Sequence, residues 1–296
     1  MKKIIIFGPT CSGKSALAEV IASKLNAIVI NADSMQLYSE LPIITAQPDS
    51  LKHYHKLFAF LSGDQNFSVA NWRDKAEETI VSAIADQKNI VIVGGTGLYF
   101  KALLTGFKNL PMNTESQRLI IEEILAEKGV RFMYQEIINK DPDYAKILKA
   151  NDIQRVRRIY GLLFMNNISF NEYQSLPNIS KFKSEDFIKI FINPDRNSLY
   201  KQINARVDIM MKSGGREEVE AFLAKNYPES GNVFKAIGLR EVKDILNKKL
   251  LQKEGYELMK KNTRNYAKRQ ITFFNNQIKS DVIIRNYNEF DFNILN

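Results

Sequence analysis

The sequence predicts an α/β fold, a parallel sheet flanked by helices and interrupted by a mainly helical insertion. Three observations carry this. Short, wholly apolar runs each end in glycine or small polar residues. Stretches of helical periodicity separate those runs. The strand pattern then disappears after Pro111 and returns only near Phe187.

The first apolar run, residues 4–7, is closed by Gly8-Pro9 and has the composition of a strand buried on both faces. Leu17, Val20, Ile21 and Leu25 recur at helical spacing, so a helix follows. Residues 27–30 form a second strand ending near Asn31-Ala32-Asp33, and residues 71–85 read as a helix with Trp72 as a packing residue. A third buried strand at 90–93 runs into Gly94-Gly95-Thr96-Gly97. From about 116 to 173 the apolar spacing is helical, with Ile153, Val156, Tyr160 and Leu163 as one stripe. Alternation returns at 187–192, and helices dominate to about Phe274. The expected division is a core of residues 1–110 and 186–296 around an insertion of residues 111–185.

Composition narrows the function. With 296 residues, 45% hydrophobic and 25% charged, the chain has globular rather than disordered or fibrous character. No apolar run approaches the ~18 residues that span a bilayer, and residues 4–7 are too short for a secretory segment. A single cysteine rules out an internal disulfide. Two histidines, His53 and His55, make a poor soft-metal site. These features lead us to expect a cytoplasmic protein. Forty-two Lys and Arg against 33 Asp and Glu leave a net charge of +9, which favours polyanionic partners.

Gly8-Pro9-Thr10-Cys11-Ser12-Gly13-Lys14-Ser15 fits G-x-x-x-x-G-K-[ST] between a predicted strand and a predicted helix. Successive N–H groups of such a loop face phosphate oxygens, the lysine adds positive charge, and Ser15 is placed to hold Mg²⁺. The expected core is therefore P-loop NTPase-like, with a loop of the nucleotide-binding, ATP-binding type. A kinase usually ends a later strand with a magnesium-holding aspartate, but here that strand ends in glycines. Asp33 is instead the acidic residue at a strand's carboxyl end, where it can serve as a general base, a magnesium partner or a turn residue. Thr96, among three glycines, can donate to a phosphate or leaving-group oxygen.

Lys260, Arg264 and Lys268 fall at i, i+4, i+8, and Gln154, Arg155, Arg157 and Arg158 form a second basic cluster. Two such clusters beside a phosphate loop suit a protein that grips a nucleic-acid backbone while acting on a small phosphorylated donor. Solvated helix faces are the alternative. Arg206, between Ala205 and Val207, is a candidate to point inward toward phosphates.

Taken together, the chain resembles the tRNA dimethylallyltransferase (tRNA isopentenyltransferase) family over most of its length. The resemblance rests on the phosphate loop, Asp33-Ser34-Met35-Gln36 with Tyr38, Val93-Gly94-Gly95-Thr96-Gly97-Leu98-Tyr99 and Asn151-Asp152-Ile153-Gln154-Arg155. It continues through Asn204-Ala205-Arg206-Val207-Asp208, Ala236-Ile237-Gly238 and Thr263-Arg264-Asn265-Tyr266-Ala267-Lys268-Arg269-Gln270. It implies transfer of a dimethylallyl group from dimethylallyl diphosphate to the exocyclic amine of adenosine at tRNA position 37, with Mg²⁺ as cofactor. Asp33, Thr96 and Arg206 are then the catalytic residues, as proton acceptor, helper at the diphosphate and neutraliser of the leaving group. Gly8, Pro9, Thr10, Cys11, Ser12, Gly13, Lys14 and Ser15 hold the diphosphate, with Ser15 also on the metal. Asp33, Ser34, Met35, Gln36, Gln154, Arg155, Val156, Arg157, Arg158, Arg264 and Lys268 face the tRNA. A monomer without membrane attachment is expected.

The chain departs from the family pattern in Pro42-Ile43-Ile44-Thr45-Ala46-Gln47-Pro48, which lacks the usual Asp, Gly and Lys of that stretch. Phe273 and Asn275 stand where tryptophan and arginine are usual. The rival readings are a small-molecule kinase, a prenyltransferase acting on free adenosine nucleotide, and a non-catalytic RNA-binding module.

Overall fold

The computed structural model describes residues 1–295. Strands β1 (Lys3–Phe7), β2 (Ala27–Asn31), β3 (His55–Lys56) and β4 (Asn89–Gly94) belong to one sheet, with helix α1 (Lys14–Leu25) between β1 and β2. A four-residue α2 (Pro42–Thr45), α3 (Val69–Ala85) and α4 (Gly97–Thr105) complete the first half of the core. The order across this all-parallel sheet is β3-β2-β4-β1, followed by two strands from the C-terminal part of the chain.

Residues alternate between the sheet's two faces. Ile5, Phe7, Ile30, Ile90 and Ile92 join one buried cluster, while Ile4, Ile6, Val29, Val91 and Val93 join the other. That two-sided burial explains why the strands are continuous apolar runs. On α1 the buried face is Leu17, Ala18, Ile21 and Ala22, whereas Val20 is 40% exposed. The small alanines let the helix lie close to the sheet, and the bulkier Val20 is left outside.

The insertion is a separate compact unit, Thr105–Ser180, and the core comprises Met1–Leu104 with the chain from Lys181 onward. These boundaries replace the expected 110/111 and 185/186. A two-stranded antiparallel ladder between β5 (Phe107–Lys108) and β6 (Asn178–Ile179) closes the two ends of the insertion upon each other. Two-residue strands leave no periodic signal, so the sequence could not show them. Within the insertion, α5 (Glu115–Lys140) breaks at Gly129, whose φ is 79°. Short helices α6 (Ile153–Tyr160) and α7 (Phe170–Ser175) follow, with Asp152 and Ser169 as their N-caps. Met133, Ile137, Tyr144, Val156, Leu162 and Phe170 are part of its own core.

The rest of the chain returns to the sheet through β7 (Ile188–Ile192). It continues through α8 (Arg196–Lys212), α9 (Gly215–Leu223), α10 (Leu239–Leu246) and α11 (Gln252–Gln277), and ends the sheet with β8 (Val282–Ile284). Phe274 of α11 packs into the cluster that holds Phe7 and Phe191, with ring centroids 5.0 and 5.9 Å away. Among the described residues, no helix is long and apolar enough to cross a membrane.

Candidate active site

The carboxyl ends of β1, β2 and β4 open into one cleft with a cavity volume of about 290 Å³. The first wall is the loop between β1 and α1. Gly13 caps α1 with φ 87°, a left-handed value that glycine adopts without strain, and the loop's amides thereby gather at the helix's positive end. Thr10, Cys11, Ser12, Gly13, Lys14 and Ser15 line the cleft. The Lys14 ammonium donates to the Pro9 carbonyl at 2.6 Å. Burial pushes its pKa down to about 8; nearby Arg206 acts the same way, while Asp33 and Cys11 oppose it. The Ser12 hydroxyl is buried with no hydrogen-bond partner among the described residues, a polar atom poised for a ligand. Gly8 and Pro9 are not among the residues that line the cleft. A Cβ at Gly8 would stand 2.3 Å from the Ile192 carbonyl of β7, which explains the glycine.

The second wall is the turn after β2. The fully buried Asn31 shapes it, donating from Nδ2 to the carbonyls of Asp33 and Leu57, each at 3.0 Å, and accepting from the Asp33 amide at 2.8 Å. Trp72 stacks on Tyr99 at 4.3 Å and donates from Nε1 to the Asn31 carbonyl, so this packing residue also positions the turn. One Asp33 oxygen accepts the Met35 amide at 3.0 Å. This is the turn role the sequence allowed, and it holds a carboxylate facing the cleft. Gln36 also lines the cleft and donates to the carbonyls of Thr45 and Ala46 at 3.0 Å.

The third wall follows β4. A Cβ on Gly94 would sit 2.1 Å from the Ala32 carbonyl, so the close contact between this loop and the Asp33 turn requires glycine. The Thr96 hydroxyl accepts the Ser34 amide at 2.9 Å and donates to the Ser34 hydroxyl at 3.3 Å. It is thereby bonded to the Asp33 turn and is not among the residues that line the cleft. Arg206, from α8, does point inward. Its guanidinium donates to the Thr10 hydroxyl at 3.3 Å and to Cys11 Sγ at 3.4 Å.

Two further residues of this site belong to the 263–270 motif. Gln270 of α11 is buried, accepts the Thr10 amide at 2.9 Å and donates to the Gly95 carbonyl at 2.8 Å. Tyr266, one turn earlier, contacts Thr96 and Gln270, and burial together with Asp33 pushes its hydroxyl's pKa well up. Ala267, Gln270 and Phe274 share one buried helical stripe. A glutamine on an apolar stripe is the signal that could have revealed it.

The expected RNA-facing residues divide sharply. Val156 is 0% exposed in the core of the insertion, so its side chain cannot meet RNA; this corrects its assignment. It lies on the inner face of a short amphipathic helix whose outer face carries the exposed Gln154 and Arg155. Arg157 is paired with Glu122. Arg158 donates to the Pro111 carbonyl at 3.0 Å, and burial lowers its pKa. Met35 packs half-buried against the core. On α11, Lys260 is held by Asp208 and Glu257 at 2.8 and 2.9 Å, and Arg264 donates to Asn204 at 2.6 Å. Lys268 is exposed. The divergent 42–48 stretch is internally satisfied. Gln47 is buried and donates to the Tyr38 carbonyl at 2.6 Å, while the Glu218 carboxylate accepts the amides of Ile43 and Ile44.

Comparison with known proteins shows what the whole chain is similar to. The protein-family model "IPP transferase" matches residues 36–277, more than half of the chain. A tRNA dimethylallyltransferase of Rickettsia massiliae is 36% identical over 293 residues, covering 98% of this chain and 80% of its own. One from Agrobacterium fabrum is 36% identical over 281 residues, covering 94% of each. Among solved structures, a eukaryotic dimethylallyltransferase acting on tRNA superposes with a TM-score of 0.79 at 26% identity, over 96% of this chain and 74% of that one. The full-length tRNA isopentenylpyrophosphate transferase of Bacillus halodurans gives 0.69 at 28% identity, over 99% and 92%.

Proposed function

The chain belongs to the IPP transferase family, that of the tRNA dimethylallyltransferases, and from that premise we propose how its cleft performs prenyl transfer. It is a prenyltransferase that transfers a dimethylallyl group to tRNA. In our reading the donor is dimethylallyl diphosphate and the acceptor is the exocyclic amine of adenosine at position 37, beside the anticodon. The observation that carries this reading is the pairing in one cleft of a cationic, amide-rich wall with a carboxylate wall: residues 10–15 with Arg206, and Asp33.

An allylic carbon–oxygen bond ionises readily because its cation is delocalised, so the enzyme's main task is to neutralise the departing diphosphate. The loop amides, the unpartnered Ser12 hydroxyl, Lys14 and Arg206 bind it in place. The amine nitrogen bonds to the allylic carbon as the carbon–oxygen bond breaks. Asp33 accepts the amine proton, and diphosphate leaves. Thr96, through its two contacts with Ser34, holds the turn that aims Asp33; its expected help at the diphosphate requires exchange of those contacts. The adenine must leave its stack to reach the cleft.

A magnesium ion suits this site. The exposed Ser15 and the Asp33 carboxylate line the same cleft. Hard oxygen donors in small number fit an ion that keeps its waters and binds phosphates. When bound, it adds positive charge against the leaving diphosphate. The Gln154, Arg155, Arg157, Arg158, Arg264 and Lys268 side chains are proposed to contact tRNA, and the enzyme to act as a cytoplasmic monomer.

Incubation with bulk tRNA and labelled dimethylallyl diphosphate tests the reading, with free adenosine nucleotide and ATP as parallel acceptor and donor controls. Label appearing in tRNA alone is the expected result. Label in free nucleotide, ATP turnover, or RNA binding without transfer would each replace it with one of the three rivals.

A further inference from the structure

The leaving-group wall and the base wall of the cleft are built by separate loops, after β1 and after β2, and the Gln270 side chain ties the first of these to the loop after β4 that holds the second. Gln270 accepts the amide of Thr10 at 2.9 Å through Oε1 and donates to the carbonyl of Gly95 at 2.8 Å through Nε2. From Gly95 the connection continues without a gap. Thr96 accepts the Ser34 amide, and Ser34 follows Asp33 directly. The packing leaves no slack, because a Cβ at Gly95 would fall 2.2 Å from Gln270 Nε2 and 3.6 Å from an Asp33 carboxylate oxygen. Gly97, two residues on, is likewise pressed against Phe273, the residue standing where tryptophan is usual.

We infer that Gln270 is a positioning residue for the transfer reaction, fixing the separation between the diphosphate loop and the Asp33 turn. This rests on the functional reading given above. Nucleophile and allylic carbon must meet with the diphosphate held on one wall and the proton acceptor on the other, and ångström-scale errors in such geometry cost about 10²-fold in rate. At neutral pH an amide supplies both an acceptor for Thr10 and a donor for Gly95 from one planar group of this length, which an ionised carboxylate does not. Gln270 touches no reacting atom in this scheme and acts through the two loops.

The test is single-turnover transfer at saturating donor and tRNA, normalised to donor-binding sites, in wild type, Gln270→Met and Gln270→Glu. Gln270→Met keeps length and removes both hydrogen bonds. It is expected to slow transfer at least about tenfold while donor affinity changes less than about threefold. Gln270→Glu is informative through pH. A protonated glutamic acid reproduces both bonds, whereas the carboxylate opposes the Gly95 carbonyl. The charged and titrating groups around it are Asp33 beside Gly95, Lys14 and Arg206 on the Thr10 side, and Tyr266 on its own helix. The rate of Gln270→Glu relative to wild type should therefore rise as pH falls, while that of Gln270→Met stays flat. A Gln270→Met rate within twofold of wild type per active site would overturn the inference. So would a loss confined to donor affinity. If wild type itself leaves tRNA unlabelled, the functional reading fails instead, and the two failures stay distinct.

Discussion

Asp33 and Lys14 carry the sharpest consequences at the scale of single residues. Asp33→Asn keeps the side chain's size and its bond from the Met35 amide but removes the proton acceptor. Transfer should fall at least ~10²-fold, with donor binding retained in a calorimetric titration. Unchanged transfer would return Asp33 to a turn residue alone. Lys14 predicts a pH dependence of a definite sign. Its pKa in the free protein is lowered to about 8. A bound diphosphate stabilises the ammonium and raises that pKa, so the complex holds more protons than the free protein above pH 8. Donor affinity is therefore full below about pH 8 and lost as pH rises beyond it, by up to about tenfold per pH unit. Donor dissociation constants measured from about pH 7 to about pH 10 check this, and Lys14→Met should bind weakly with that limb gone.

At the scale of elements, α11 shows how one helix serves two purposes. Its inner stripe holds Gln270 and Tyr266 against the site, while its outer side carries cations of unequal availability. Lys260 already has two carboxylate partners, and Arg264 is committed to Asn204, whereas Lys268 is exposed. Lys268→Ala should weaken tRNA binding and flatten its log–log salt slope by about one, with donor affinity unchanged. Lys260→Ala should leave the slope as it is. Filter binding of tRNA over a salt series separates the two, and equal slopes for Lys268→Ala and wild type would make that face merely solvated. The even spacing of 260, 264 and 268 suggested a uniform stripe. The acids that divide it, Asp208 and Glu257, come from a different helix and an earlier turn.

For the whole molecule, the two compact units predict separable damage. Val156→Asp places an unpaired charge in the insertion's core and should cost that unit at least about 3 kcal/mol. Transfer to tRNA should then fail through a raised KM for tRNA, while donor binding in the P-loop cleft survives. Loss of donor binding in the same variant would show the core depends on the insertion. The sequence by itself determined the parallel sheet, since strands buried on both faces must be continuous apolar runs. It also determined the phosphate loop, because Gly13 answers to a local backbone demand, the left-handed turn that starts α1. The tertiary structure alone decided what depends on distant partners. Thr10 and Gln270 meet across 260 positions, Thr96 is occupied by Ser34, and Gln47 is satisfied internally rather than replacing a lost cation. The insertion's true ends are set by a pair of two-residue strands. Local periodicity records which side of an element is buried; which atom a polar group meets there is fixed only when the elements pack.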